Sequence, residues 1–228
     1  MKISNRLKAI SEFINSEDKL IDIGCDHALL DIYLKQTYEN ITIISSDISE
    51  GAIKIAKKNI DKYGYTDSID LRLGDGLSVV DSSEINTILI SGMGYYNIIK
   101  ILSNSDKMVN VNKIVIQSNT DIVKLRKSVI KLGFKIQREK LVLDNDIIYT
   151  IIEFVKGEEK YNYNQIYFGP RLLEDKDELF REYYSKKLLK YENLLLQLPK
   201  TDLLNIIHHK HLIKIIKEEL DKKQLQEK

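Results

Sequence analysis

Cysteine and proline are nearly absent: one Cys, Cys25, and two Pro in 228 residues. A lone thiol excludes a disulfide scaffold and a cysteine-based zinc site, and it fits a reducing, cytoplasmic setting. Few prolines alongside abundant Ile, Lys and Asn point to an AT-rich genome, so a lysine cluster carries less meaning here than usual. Charge of one sign is missing too. Lys+Arg 35 against Asp+Glu 34 leave a formal net of +1, which excludes a uniformly basic nucleic-acid coat but not a local basic face. No stretch approaches the roughly 20 apolar residues that span a bilayer. No uninterrupted apolar run follows Met1-Lys2-Ile3-Ser4-Asn5-Arg6, so neither a membrane span nor a secretory signal is expected. A hydrophobic content of 43% with 30% charged residues describes a soluble globular protein, and the length suffices for one or two domains with real cores.

What is present in the first half alternates between two periods. Short apolar runs at Lys19–Ile23, Ile41–Ser45, Ile69–Leu73, Thr87–Ile90 and Lys113–Gln117 are separated by helically spaced segments, which reads as βα units around a parallel sheet. Phe134–Leu143 and Ile147–Val155 follow, joined only by Asp144-Asn145-Asp146. With no room for a crossover helix they are expected to be an antiparallel hairpin. Among doubly wound α/β folds closed by such a hairpin, methyltransferases that use S-adenosylmethionine are the largest group. The strand-like runs stop at Val155, and Gly157-Glu158-Glu159-Lys160 reads as a linker. Beyond it Phe180, Tyr184, Leu188, Tyr191, Leu195 and Leu198 form one helical stripe. Pro199-Lys200-Thr201-Asp202 interrupts it, and Ile206, Ile213, Ile216 and Leu220 resume it. The expected organisation is a catalytic domain over residues 1–157 and a helical coiled-coil hairpin over 158–228. A stripe shared within one chain favours a monomer.

Three turns carry nucleotide-binding signals. Asp22-Ile23-Gly24-Cys25-Asp26-His27 ends the first strand, where a glycine admits a ligand to the backbone and the next helix, starting near Ala28, supplies a positive dipole. The full G-x-G-x-x-G is absent. Asp22 and Asp26 would repel a pyrophosphate and attract a sulfonium and an ammonium, which favours S-adenosylmethionine over a nicotinamide dinucleotide. Asp47, after the second strand, stands where an acid accepts ribose hydroxyls, and Gly74-Asp75-Gly76 stands where an adenine amino group can be bonded. Gly92-Met93-Gly94 ends the central fourth strand, beside the crevice where open α/β sheets bind ligands.

Together Asp22–Ala28, Asp47 with Gly51, Gly74-Asp75-Gly76-Leu77 and Gly92-Met93-Gly94 resemble the bacterial tRNA adenine-N1 methyltransferases that modify adenine 22. Ser4-Asn5-Arg6-Leu7, Phe168-Gly169-Pro170 and the helical extension resemble the same family, so the likeness covers nearly the whole chain. It implies a Rossmann-like class I methyltransferase domain, S-adenosylmethionine as methyl donor, tRNA as partner, and a coiled-coil domain that helps hold the tRNA. The expected cofactor-binding set is Asp22, Gly24, Cys25, His27, Asp47, Ile48, Asp75, Gly76, Gly92 and Met93. Departures are local. The family pattern has Gly-Met-Gly-Gly where Tyr95 follows Gly94, an aromatic residue and a proline where Leu29 and Asp31 stand, and Gln-Pro-Asn where this chain has Gln117-Ser118-Asn119.

Adenine N1 has a free lone pair, so catalysis needs positioning and charge stabilisation rather than deprotonation. Asp26 is the catalytic candidate, orienting the adenine amino group and offsetting the cation that develops on the ring. His27 either packs a helix N-terminus or moves a proton, and Cys25 reads as a small buried filler. Gln117 and Asn119 either contact the target base or cap the next helix. Candidate RNA contacts are these two with Arg6, Lys186, Lys190, Lys210 and Lys214. Residues 160–228 carry 14 Lys/Arg against 11 Asp/Glu, while residues 1–159 carry 21 against 23. A solvated lysine-rich face is the plain alternative. Of His208, His209 and His211, the first two point in different directions on a helix, and no carboxylate sits at ligand spacing, so no metal is expected. The rival readings are another class I methyltransferase with a different RNA substrate, and a non-catalytic RNA-binding relative.

Overall fold

The computed structural model describes residues 1–103 and 105–222. They fall into two compact units, Met1–Arg171 and a second beginning at Leu172. In the first unit α1 (Asn5–Ser11) is followed by β1 (Lys19–Ile23), α2 (Leu29–Thr37), β2 (Thr42–Asp47), α3 (Glu50–Tyr63) and β3 (Ile69–Leu73). Then come β4 (Thr87–Met93), α4 (Tyr95–Leu102), β5 (Lys113–Ser118), α5 (Ile122–Lys131), β6 (Phe134–Asp144), β7 (Ile147–Lys156) and α6 (Tyr163–Phe168). All seven expected strands form, with ends displaced by three residues at most.

The sheet order is β3-β2-β1-β4-β5-β7-β6, parallel through β5 and antiparallel at β7 and β6. The central strands β4 and β5 carry the uninterrupted apolar runs Ile88-Leu89-Ile90 and Ile114-Val115-Ile116 because both faces are covered. Alternate residues divide between two cores: Ile21, Ile23, Ile88, Ile90, Ile114 and Ile116 enter one, while Leu20, Leu89 and Val115 enter the other with α1, α2 and α3. The chain winds outward from β1 through β2 to β3, then returns to the other side of β1 as β4. That reversal opens the crevice at the carboxyl ends of β1 and β4, where the glycine turns lie.

The β6–β7 hairpin turns through Asn145 and Asp146, with φ of 49° and 63°. Positive φ at both centres matches the twist of the flanking strands, and Asn and Asp tolerate it. In register Gln117, near the end of β5, faces Ile151. The first residues of β7 therefore run beyond the carboxyl edge of the parallel sheet.

The first unit extends 14 residues past the expected boundary at 157. The segment 158–171 looks polar in sequence but is bound to the sheet. The Arg126 guanidinium, buried on α5, pairs with the equally buried Glu139 of β6 at 2.7 Å and donates to the carbonyls of Ile166 and Tyr167. The Ile136 N–H donates to the Tyr161 hydroxyl at 2.8 Å, and Arg171 pairs with Glu159. Gly169, at φ +98°, passes over the ion pair where a Cβ would sit 2.6 Å from Glu139 and 2.7 Å from Arg126. Phe168-Gly169-Pro170 thus closes the first unit rather than opening the second.

The second unit holds α7 (Leu172–Asp175), α8 (Glu178–Gln197) and α9 (Leu203–Asp221). Asp177 and Asp202 cap α8 and α9 by accepting from the Phe180 and Asn205 N–H groups. The two long helices pack antiparallel. Arg181 near the start of α8 reaches the Leu220 carbonyl, and the Tyr191 and His209 rings meet at 5.6 Å. No helix among the described residues is long and apolar enough to cross a membrane.

Candidate active site

The turn after β1 is held by backbone. Gly24 and Cys25 N–H both donate to the Ser46 carbonyl at 2.8 and 3.0 Å, and the Asp26 N–H donates to Asp47 Oδ2 at 3.2 Å. Gly24 has φ +79°, and the Met93 methyl occupies the space a Cβ would need. The turn then passes through Asp26 and Ala28 at φ 49° and 53°, with Ala28 as the N-cap of α2. Asn59 of α3 anchors it by donating to the His27 carbonyl at 2.9 Å.

A chamber of about 240 Å³ lies on the β1–β3 side. Its walls are Gly24, Asp47, Ile48, Gly74, Asp75, Gly76 and Met93 from the strand ends, together with Asn97, Lys100 and Ile101 of α4. Ile48 is 69% exposed, an apolar side chain held at the chamber wall. Asp47 Oδ1 also accepts from the Ser49 N–H, so both of its oxygens are oriented before any ligand arrives. Lys100 lies 3.4 Å from Asp75. The three residues of α4 went unforeseen, although Asn97, Lys100 and Ile101 share one face by helical spacing.

A larger chamber of about 670 Å³ adjoins it and shares Gly24, Asp47 and Met93. Asp22, Cys25, Asp26, His27 and Leu29 line it from β1 and its turn, Gly92 from β4, Asn119 from beyond β5, Arg6 from α1, and Asp144, Asn145 and Tyr149 from the hairpin. Asp26 is exposed and lies 3.4 Å from His27. Arg6 donates to Gln117 Oε1 at 3.0 Å, and its guanidinium carbon is 5.2 Å from the centre of the Tyr149 ring. Gln117 is fully buried. It accepts from Arg6 and from the Gly92 N–H and donates to Asn119, so it reaches the chamber through these neighbours. Asn119 in turn donates to the Gly92 carbonyl at 2.7 Å. Tyr95 points elsewhere, its hydroxyl 3.1 Å from Ser128 of α5. Asp144, Asn145 and Tyr149 have no motif of their own and could not have been found from sequence.

Two acids lie beneath this chamber. Burial, then the charge of Asp31, raises Asp22 well above the usual carboxylate range. Burial pushes Asp31 up to about 7 against the hydrogen bonds of Ser45 and Asp22. The Cys25 thiol is buried in the core beside them, and burial followed by the Asp31 and Asp22 charges holds it neutral.

The four candidate lysines of α8 and α9 are exposed, and two of them have acidic neighbours. Lys186 pairs with Glu182 at 2.6 Å, Lys214 lies 3.8 Å from Glu218, and Lys217 pairs with Glu192 across the hairpin. Lys190 and Lys210 are exposed as well. Among the described residues no group of three or more His, Cys, Asp or Glu could hold a metal ion.

The donor set suits an adenosyl amino acid: a small chamber with an apolar wall and a bidentate acid, continuous with a larger one floored by carboxylates. Comparison with known proteins agrees. The chain is 27% identical over 207 residues to the tRNA (adenine(22)-N(1))-methyltransferase of Bacillus subtilis, covering 88% of this chain and 87% of that one. A Streptococcus pneumoniae protein solved in complex with S-adenosyl-L-methionine superposes with a TM-score of 0.88 at 29% identity, over 96% of this chain and 100% of that one. Mycoplasma capricolum TrmK, solved with S-adenosyl-homocysteine, gives 0.85 at 27% identity, over 97% and 99%. The sequence model of the TrmK family, tRNA (adenine(22)-N(1))-methyltransferase, matches residues 20–223. With nearly the whole chain inside that match, and the fold of its solved relatives, the protein belongs to the tRNA (adenine(22)-N(1))-methyltransferase family.

Proposed function

We propose that this protein transfers a methyl group from S-adenosylmethionine to N1 of adenine 22 in tRNA. The observation that carries the reading, within the family, is the pair of adjoining chambers that share Gly24, Asp47 and Met93. When bound, the cofactor supplies an electrophilic methyl on a sulfonium. Asp47 would accept the ribose hydroxyls, Ile48 and Ile101 would pack against the adenine, and Asp22 would offset the ammonium. The chamber beyond admits the target base, which must leave its stack to enter. Arg6 and Tyr149 form one wall against it. Asp26 orients the exocyclic amino group and stabilises the positive charge the ring acquires. No residue has to remove a proton from N1, so the work of the site is alignment and charge complementarity. Lysines of the helical hairpin, Lys190 and Lys210 foremost, contact the tRNA backbone.

Labelled S-adenosylmethionine with two unmodified tRNA transcripts, one carrying adenine and one guanine at position 22, tests this directly, with nucleoside mass spectrometry of the product. N1-methyladenosine on the adenine transcript alone is the expected result. Methylation of neither transcript by protein that binds the cofactor would transfer the activity to another acceptor.

A further inference from the structure

The sequence departs from its family pattern at Asp31, and the structure puts that residue against Asp22. Asp31 sits on α2 with no exposed surface, and Asp22 on β1 is 5% exposed and lines the larger chamber. Ser45 of β2 donates its hydroxyl to Asp31 Oδ2 at 2.6 Å. Asp31 Oδ1 has no hydrogen-bond donor among the described residues. A buried carboxylate oxygen without a donor is costly, and the neighbouring Asp22 carboxyl, in side-chain contact with Asp31, satisfies it when a proton lies between them.

We infer that Asp31 is a positioning residue: it shares a single proton with Asp22, so that the pair presents one negative charge to the cofactor's ammonium from its chamber face. The inference rests on the cofactor reading above. Two carboxylates in contact cannot both ionise cheaply, and one proton between them is the stable state near neutrality. In the empty cleft the proton sits on Asp22 and is donated to Asp31. An arriving ammonium draws negative charge to the chamber side, and the proton passes to Asp31 Oδ1. Ser45 continues to donate to Oδ2, which keeps the Asp31 carboxyl in place for that exchange. A second proton on the pair removes the counter-charge altogether, so it must be released to solvent when the cofactor binds.

The charged and titratable groups facing the pair fit this arrangement. Asp47 of β2 adds negative charge from the side, and burial together with Asp31, Asp22 and Asp47 keeps Cys25 neutral. Arg6 of α1 and Asp26 and His27 of the turn line the same chamber. With Asp31 raised to about 7, the second proton is held below that pH and absent above it. Cofactor affinity therefore increases as pH rises through 7.

Calorimetric titration with S-adenosylhomocysteine, which carries the same amino-acid group, tests the inference between pH 6 and 7.5, below the ordinary range of an α-amino group. The wild-type affinity should rise about eightfold over this range. Titrations in two buffers of different ionisation enthalpy should show release of more than roughly half a proton per cofactor at pH 6.5. Asp31→Asn should bind within about threefold of wild type at pH 7.5, release no proton and lose the pH dependence, so that at pH 6 it binds tighter than wild type. A merely structural role would weaken binding equally at every pH. A histidine also changes charge in this range, and Asp31→Asn keeps His27, so a slope that survives the substitution overturns the inference. A flat wild-type profile without proton release overturns it as well. Ser45→Ala is the second variant: loss of its donor should move the midpoint of the pH dependence upward and lower affinity at pH 7 about threefold, and an unmoved midpoint counts against the shared proton. No binding at any pH would instead sink the cofactor reading itself.

Discussion

The smaller chamber is walled by residues drawn from four strand ends and one helix face, several of them neighbours in sequence: Ile23 with Gly24, Asp47 with Ile48, and Gly74 with Asp75 and Gly76. The larger one is assembled from α1, the turn after β1, the end of β4, the residue after β5 and the hairpin. One is local and shaped chiefly by backbone; the other depends on side chains brought together across more than 140 residues. On the reading proposed above, a cofactor common to many enzymes would lie mainly in the part that strand ends and one face of α4 provide. On the same reading the acceptor, which distinguishes one methyltransferase from another, would enter the part that tertiary structure must build.

If the division holds, substitutions in the two chambers separate cofactor affinity from turnover. Asp26→Asn should have the largest effect, lowering kcat on tRNA about 100-fold while S-adenosylhomocysteine affinity by calorimetry stays within about threefold. Turnover near wild type in this variant would remove Asp26 from the mechanism. Tyr149→Ala should reduce kcat/KM for tRNA about tenfold, the scale of one stacking contact, again without loss of cofactor affinity, and Tyr149→Phe should retain most of the rate. A matching loss of cofactor affinity in Tyr149→Ala would erase the division. Ile48→Ala should do the opposite, weakening S-adenosylhomocysteine binding about fivefold through lost apolar contact with kcat at saturating cofactor unchanged.

The acidic floor gives a stability signature. Asp31 is raised in the folded state, so the folded protein holds the proton more tightly than the unfolded chain. Its favourable contribution is complete below about pH 4 and is lost as pH rises through about 7. Asp31→Asn removes that term, and its melting temperature relative to wild type should gain about 5 °C between pH 4.5 and pH 7.5. A difference that does not change with pH would place Asp31 outside any titration. The smallest effect belongs to the second unit. Joint Lys190→Ala and Lys210→Ala should weaken tRNA binding only a few-fold at moderate salt and reduce the salt slope by about 1–2. Cofactor binding should be untouched.

Much of the first unit was legible because of how its sheet is buried. With helices on both faces, a strand such as Ile88-Leu89-Ile90 is apolar throughout, and the run itself marks the strand. Its end was less legible: β4 continues through Met93, since the glycine turn keeps pairing with β5 up to Ser118. The boundary between the units was misplaced because Glu158 to Lys160 look like a linker. What binds the following segment to the sheet is a pair, Arg126 and Glu139, that sequence shows only as two more charges among many.

By itself the sequence determined the order of strands and helices, the antiparallel closure, the three glycine and acid turns and the helical hairpin, because all of these follow from periodicity and turn chemistry within a few residues. Tertiary structure alone decided which side chains share the larger chamber. Register puts Gln117 opposite Ile151, which carries Tyr149 past the sheet edge to Arg6, and winding brings α2 over β1, which sets Asp31 against Asp22. Contacts of that kind depend on burial and on a proton between two acids, and neither is written in local sequence.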